Sequence, residues 1–164
     1  MKHLIGQTRN GVDVYVQLIG SAAGEHISRQ PRLLTLAKEM FANVTLRGAE
    51  INIEYDTDRP IGYDFIVETS DSDTVFYGCL LRDKVYTRFV KNAKPLPTRY
   101  LTAMLAKGSD DTYELSDIWI GRMRPPLPGS TTETIDSKSY WANHALILDN
   151  QPLQQRTLTK VCPY

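Results

Sequence analysis

The chain holds 164 residues, 41% hydrophobic and 23% charged, with 19 Lys+Arg balancing 19 Asp+Glu. Domains usually hold ~100–200 residues, and a chain of this size buries roughly 70% of its unfolded surface without needing a disulfide or metal. The balanced charge excludes a wholly basic nucleic-acid binder and a disordered acidic tail.

The first eight residues contain only two consecutive apolar positions, Leu4 and Ile5. A secretory leader needs an apolar core of ~7–15 residues and a membrane span ~18, so neither is expected, and the chain is assigned to the cytoplasm. Cys79 and Cys162 form no framework and no Cys-x-x-Cys pair, consistent with reduced thiols.

In chain order, residues 3–8 and 12–19 flank Arg9-Asn10-Gly11, a tight-turn signal. Val12, Val14, Val16 and Leu18 alternate with Asp13, Tyr15 and Gln17, the period of a strand with one buried face. A loop over 20–26 then leads to Ser28 as helix cap. The helix spans about 29–43, with Pro31 in its first turn and Leu33, Leu36, Ala37, Met40, Phe41 and Val44 as its apolar stripe. Segments 51–56 and 63–68 read as a hairpin around 57–62, and 74–81 and 85–90 as another around Arg82-Asp83-Lys84. Segments 99–106 and 112–120 flank a further turn, with a short helix at 97–106 as the competing reading. Residues 122–138 are a proline-rich connecting loop, and 139–164 a terminal hairpin packed on the same domain. Trp119 and Trp141 are assigned to the core, and Tyr113, Tyr140 and Tyr164 to surface anchors.

The expected fold is therefore α+β over a single domain, 1–164. A mainly antiparallel, curved sheet of short strands in hairpins carries one amphipathic helix on one face.

Charge is uneven along the chain. Residues 50–73 carry eight carboxylates against Arg59 alone, and 79–99 carry six cations against Asp83 alone. In the acidic block, Glu54, Asp56, Asp64 and Glu68 would share one face if Asp56 paired with Asp64. Convergent carboxylates hold Mg²⁺ or Ca²⁺ and activate water for hydrolysis. A one-residue slip would turn Asp64 away. In the basic block, Arg82, Lys84, Tyr86, Arg88, Lys91, Lys94 and Arg99 combine cations with an aromatic ring, a set that stacks bases and contacts phosphates. The same set suits a complementary acidic partner, or the acidic block of the same chain.

His144 and Asn143 are adjacent and point to opposite faces of a strand, which argues against a relay with Cys79. Gly20-Ser21-Ala22-Ala23-Gly24 lacks the spacing and the lysine of a phosphate loop. No convergent catalytic set and no cofactor motif emerges. The reading is a non-catalytic accessory or inhibitor-type module that binds another protein through separate acidic and basic surfaces, without a membrane. The alternatives are a nucleic-acid-binding module using 82–99 and a carboxylate metal hydrolase.

Overall fold

A computed structural model of the chain describes residues 1–80, 85–108, 110–147 and 156–164. In chain order the elements are β1 (Lys2–Gln7), β2 (Asp13–Gln17), α1 (Ala22–Arg29), α2 (Arg32–Ala42), β3 (Glu50–Asp56), β4 (Gly62–Asp64), β5 (Ile66–Glu68) and β6 (Val75–Leu80). There follow β7 (Tyr86–Val90), β8 (Leu96–Thr98), β9 (Tyr100–Lys107), β10 (Tyr113–Ile120), α3 (Ser137–Asn143), β11 (His144–Ile147) and β12 (Arg156–Thr159). The class is mixed α+β, dominated by strands, as the alternation of the sequence implies.

By its internal contacts the chain divides into two compact units. The first comprises Met1–Gly62 and Pro97–Met123, the second Tyr63–Leu96 and Arg124–Tyr164. Each is built on an open five-stranded sheet, in the order β1-β2-β10-β9-β3 for the first and β12-β6-β7-β11-β5 for the second. Neighbours are antiparallel except β10 beside β2 and β11 beside β7, which are parallel. β4 and β8 form a two-stranded ribbon.

In the first unit, Gly11 takes the turn with φ +78°, and Thr8 N donates to Val12 O at 2.9 Å, closing the expected β1–β2 hairpin. Val14, Val16, Leu101, Ala103, Leu105, Leu115 and Ile118 face Ala23, Ile27, Leu33, Ala37, Met40 and Phe41 of the helices, and all are buried.

The helical region corrects the single helix expected over 29–43, because two helices form. Ser21, not Ser28, caps the first, accepting from Gly24 N at 3.0 Å. Gln30 leaves helical geometry at φ −138°, ψ 81° because it precedes Pro31. The proline lacks the N–H that would continue α1, and α2 restarts behind it with the apolar stripe read from the sequence.

Two further expectations change. Residues 57–61 do not return onto β3. Thr57 N donates to Arg99 O and Ile61 N to Thr98 O, both at 2.9 Å, and β3 pairs with β9 instead. The 139–164 hairpin is replaced by α3 and two strands that are not neighbours, because β11 pairs with β5 and β7 while β12 pairs with β6. The β6–β7 and β9–β10 hairpins form as read, which excludes a helix at 97–106. The turn of the former, at 81–84, lies outside the described residues. Trp141 is core, at 1% exposure, whereas Trp119 is only half-buried. Tyr113 is buried and donates its hydroxyl to Gly48 O at 2.8 Å, so it is no surface anchor.

Among the described residues no helix is long and apolar enough to cross a membrane.

Candidate functional site

In the first unit the acidic candidates are already engaged. Glu54 and Asp56 lie on one face of β3, opposite Thr102 and Tyr100 of β9. Glu54 Oε1 accepts from Arg122 Nη2 at 2.9 Å, and its Oε2 accepts from Met123 N at 2.7 Å. Asp56 pairs with Arg99 at 2.9 Å, and its Oδ1 accepts from Asp58 N at 2.9 Å. Both arginines lean on Tyr100, Arg122 at 4.1 Å from the ring centroid and Arg99 at 5.8 Å. Each carboxylate thus has a guanidinium and a backbone N–H on it, leaving few lone pairs for a cation.

Asp64 belongs to β4, which pairs with β8 rather than β3, so the register that would have joined it to Asp56 does not exist. Its Oδ1 instead accepts from Ile66 N at 3.0 Å. Glu68 is exposed on β5 opposite His144. Among the described residues no three His, Cys, Asp or Glu side chains are placed to hold a metal.

The basic candidates scatter. Arg82 and Lys84 lie outside the described residues. Arg99 belongs to the first unit and neutralises Asp56, so one cation of the basic block meets the acidic block of its own chain. Lys91 and Lys94 are exposed, with Lys91 Nζ 5.0 Å from the Phe76 centroid. Tyr86 is half-buried, its ring 6.5 Å from that of Tyr164.

Arg88 departs most from the exposed strand position expected of it. It is 8% exposed and turned inward. β7 is buried on both faces from Thr87 to Val90, so Arg88 has no solvent-facing side to take. Tyr86, Arg88 and Val90 share one face of β7, and Val90 packs with Val67, Ala145 and Ile147 in the core of the second unit. Nη1 of Arg88 donates to Thr69 Oγ1 at 2.6 Å and to His144 O at 3.3 Å. Thr69 is itself fixed, its N donating to Asn143 O at 2.8 Å. Nε of Arg88 is buried and has no hydrogen-bond partner, and no carboxylate among the described residues pairs with the guanidinium. An unmet buried donor costs about 1–3 kcal/mol, and more on a charged group.

Tyr77 stands directly across the ladder from Arg88, and its ring meets Tyr164 edge-on at 6.1 Å. Burial pushes the Tyr164 phenol up to about 12, reinforced by Cys162, Tyr77 and Glu133 and opposed by the Arg88 charge. The turn at 127–133 approaches the start of β7 through Tyr86 N to Pro128 O at 3.4 Å. Within that turn Gly129 N donates to Glu133 Oε2 at 3.1 Å, and the Ser130 hydroxyl is the second buried polar group without a partner.

Sequence reasoning missed Thr69, Ser130 and Tyr77 entirely. The one available signal was that Arg88 shares a period-two face with Val90. His26 was also passed over. Its Nδ1 lies 2.9 Å from Asp117 Oδ1 and 2.8 Å from Ile118 O, tying α1 to β10. His144 stacks on Tyr140 at 3.9 Å, with its Nδ1 2.9 Å from Tyr140 O.

No family model, no curated protein and no solved structure matches this chain.

Proposed function

We propose that the chain is a non-catalytic, accessory-type binding module whose partner is another protein. The reading is carried by Tyr63 and Phe65, which are 55% and 51% exposed. They occupy alternate positions where β4 gives way to β5, and the Asp64–Ile66 turn keeps the strand broken between them. Aromatic rings bury ~150–250 Å² each when covered, and exposed aromatic pairs serve as anchors at interfaces. The charge pattern supports a narrower role than sequence suggested. Asp56 and Glu54 are spent on arginines, so charge contributes a rim and steering, not two opposed surfaces. A cytoplasmic location is part of the proposal and rests on a sequence whose two cysteines make no disulfide framework.

The test is capture of the tagged chain from host lysate, with and without nuclease, beside a Tyr63→Ser/Phe65→Ser variant of matched stability. A protein retained after nuclease and lost by the variant supports the reading. Retention by the variant overturns it. Loss on nuclease alone transfers the function to nucleic acid, with Tyr86, Lys91 and Lys94 as contacts.

A further inference from the structure

We propose that the second unit binds the oxyanion group of a small molecule, a carboxylate or a phosphate, on the unpartnered Nε/Nη2 edge of Arg88. The side chain is 8% exposed, and Nη1 is its only nitrogen with an acceptor among the described residues. Nε is buried and unmet. The Nε–H and one Nη2–H bond point the same way along one edge of the planar guanidinium, a fork that fits two oxygens of one anion. Thr69 Oγ1 and His144 O grip the opposite corner, so the edge is held in orientation before a ligand arrives.

A purely structural buried arginine would place a carboxylate on that edge, because burying a charge is favourable only when it is paired. None does so among the described residues. The unpartnered Ser130 hydroxyl lies in the turn bonded to the start of β7 and offers a neutral donor in the same unit. Tyr77, across the ladder from Arg88, and Tyr86, two residues before it on the same face, already pack their rings on Tyr164, so the inference is confined to the oxyanion group. The inference is independent of the Tyr63–Phe65 surface.

The experiment uses the full chain. Thermal unfolding is followed with sodium benzoate, inorganic phosphate or sodium chloride at matched ionic strength. In parallel, the Arg88 Nε–H resonance is followed by nitrogen-15 NMR. A saturable rise in Tm with benzoate or phosphate above the chloride control, together with a shifted Nε–H resonance, is expected. A benzoate-only response identifies a carboxylate, and a phosphate-only response a phosphate ester. Arg88→Lys keeps the charge but loses the fork, and is expected to bind at least tenfold more weakly. Arg88→Met is expected to show no response. Neither anion exceeding chloride, an unmoved Nε–H resonance, or a wild-type response in Arg88→Met overturns the proposal. If Arg88→Met fails to fold, the wild-type Nε–H titration decides.

Discussion

Asn10 holds the backbone of Leu46 from both sides: its Nδ2 donates to Leu46 O at 3.1 Å, and Leu46 N donates to its Oδ1 at 3.3 Å. The two residues are 36 positions apart, and Leu46 is 4% exposed. One turn side chain therefore pins the segment after α2 to the β1–β2 hairpin. Asn10→Ala strands a donor and an acceptor and should cost about 1–3 kcal/mol in urea unfolding. Asn10→Asp keeps the bond from Leu46 N and should cost less. Equal stability of all three proteins would remove the clamp from the account.

Gly24 sits in the first turn of α1, where alanine would ordinarily favour a helix by ~1 kcal/mol. A Cβ at this position would lie 2.3 Å from Leu18 O and 2.5 Å from Gln17 O. Backbone cannot swing aside as a side chain can. Gly24→Ala is expected to destabilise by about 1–3 kcal/mol, the usual cost of overpacking, despite its better propensity. A rise in Tm would show that α1 can lift from β2 without loss.

Glu39 of α2 is gripped at both oxygens by Arg59, Nη1 to Oε1 at 2.8 Å and Nη2 to Oε2 at 2.6 Å. The hydrogen bonds from Arg59 hold its carboxyl below the usual range. The folded state thus binds this proton less readily than the unfolded chain. The contribution to stability is full above the unfolded pKa and is lost as pH falls through the folded one. Carbonyl-carbon NMR titration should find Glu39 low in the native protein and back in the ordinary range in Arg59→Met. An unchanged midpoint would refute the link.

Tyr164 behaves oppositely. Burial pushes its phenol up to about 12, whereas an unfolded tyrosine ionises near ~10. Between those values the unfolded chain sheds the proton first, so stability falls as pH rises from about 10 towards 12. Tyr164→Phe should flatten that decline and remove the last step of the tyrosinate absorbance titration. A last step that persists in the variant assigns the late phenol elsewhere.

The parts of the fold legible in the sequence are those whose partners are near in the chain. The Asn10-Gly11 turn, the apolar stripe of α2, and the β6–β7 and β9–β10 hairpins each follow from periodicity and a local breaker. The pairings of β2 with β10, β3 with β9, and β11 with β5 and β7 join distant segments, and alternation within a strand carries no information about its neighbour. The same limit governs the sites. Period two places Arg88 with Val90 but does not say that both faces of β7 are buried. Tyr63, Phe65 and Val67 form one alternating series, yet of the three only Val67 is buried, at 8%. Pro31 shows a different limit, because a proline tolerated in a first turn is equally able to separate two helices.

The peptide passes between the two units at 62/63, 96/97 and 123/124. During synthesis, β1, β2 and β3 emerge long before β9 and β10, which lie between β2 and β3 in the finished sheet. Half of the second unit is made in the interval. The first sheet must therefore wait with its middle missing until residue 120 has left the ribosome, and the second until β11 follows. No single cut in the chain yields either unit whole, so a fragment released by proteolysis would keep exposed strand edges.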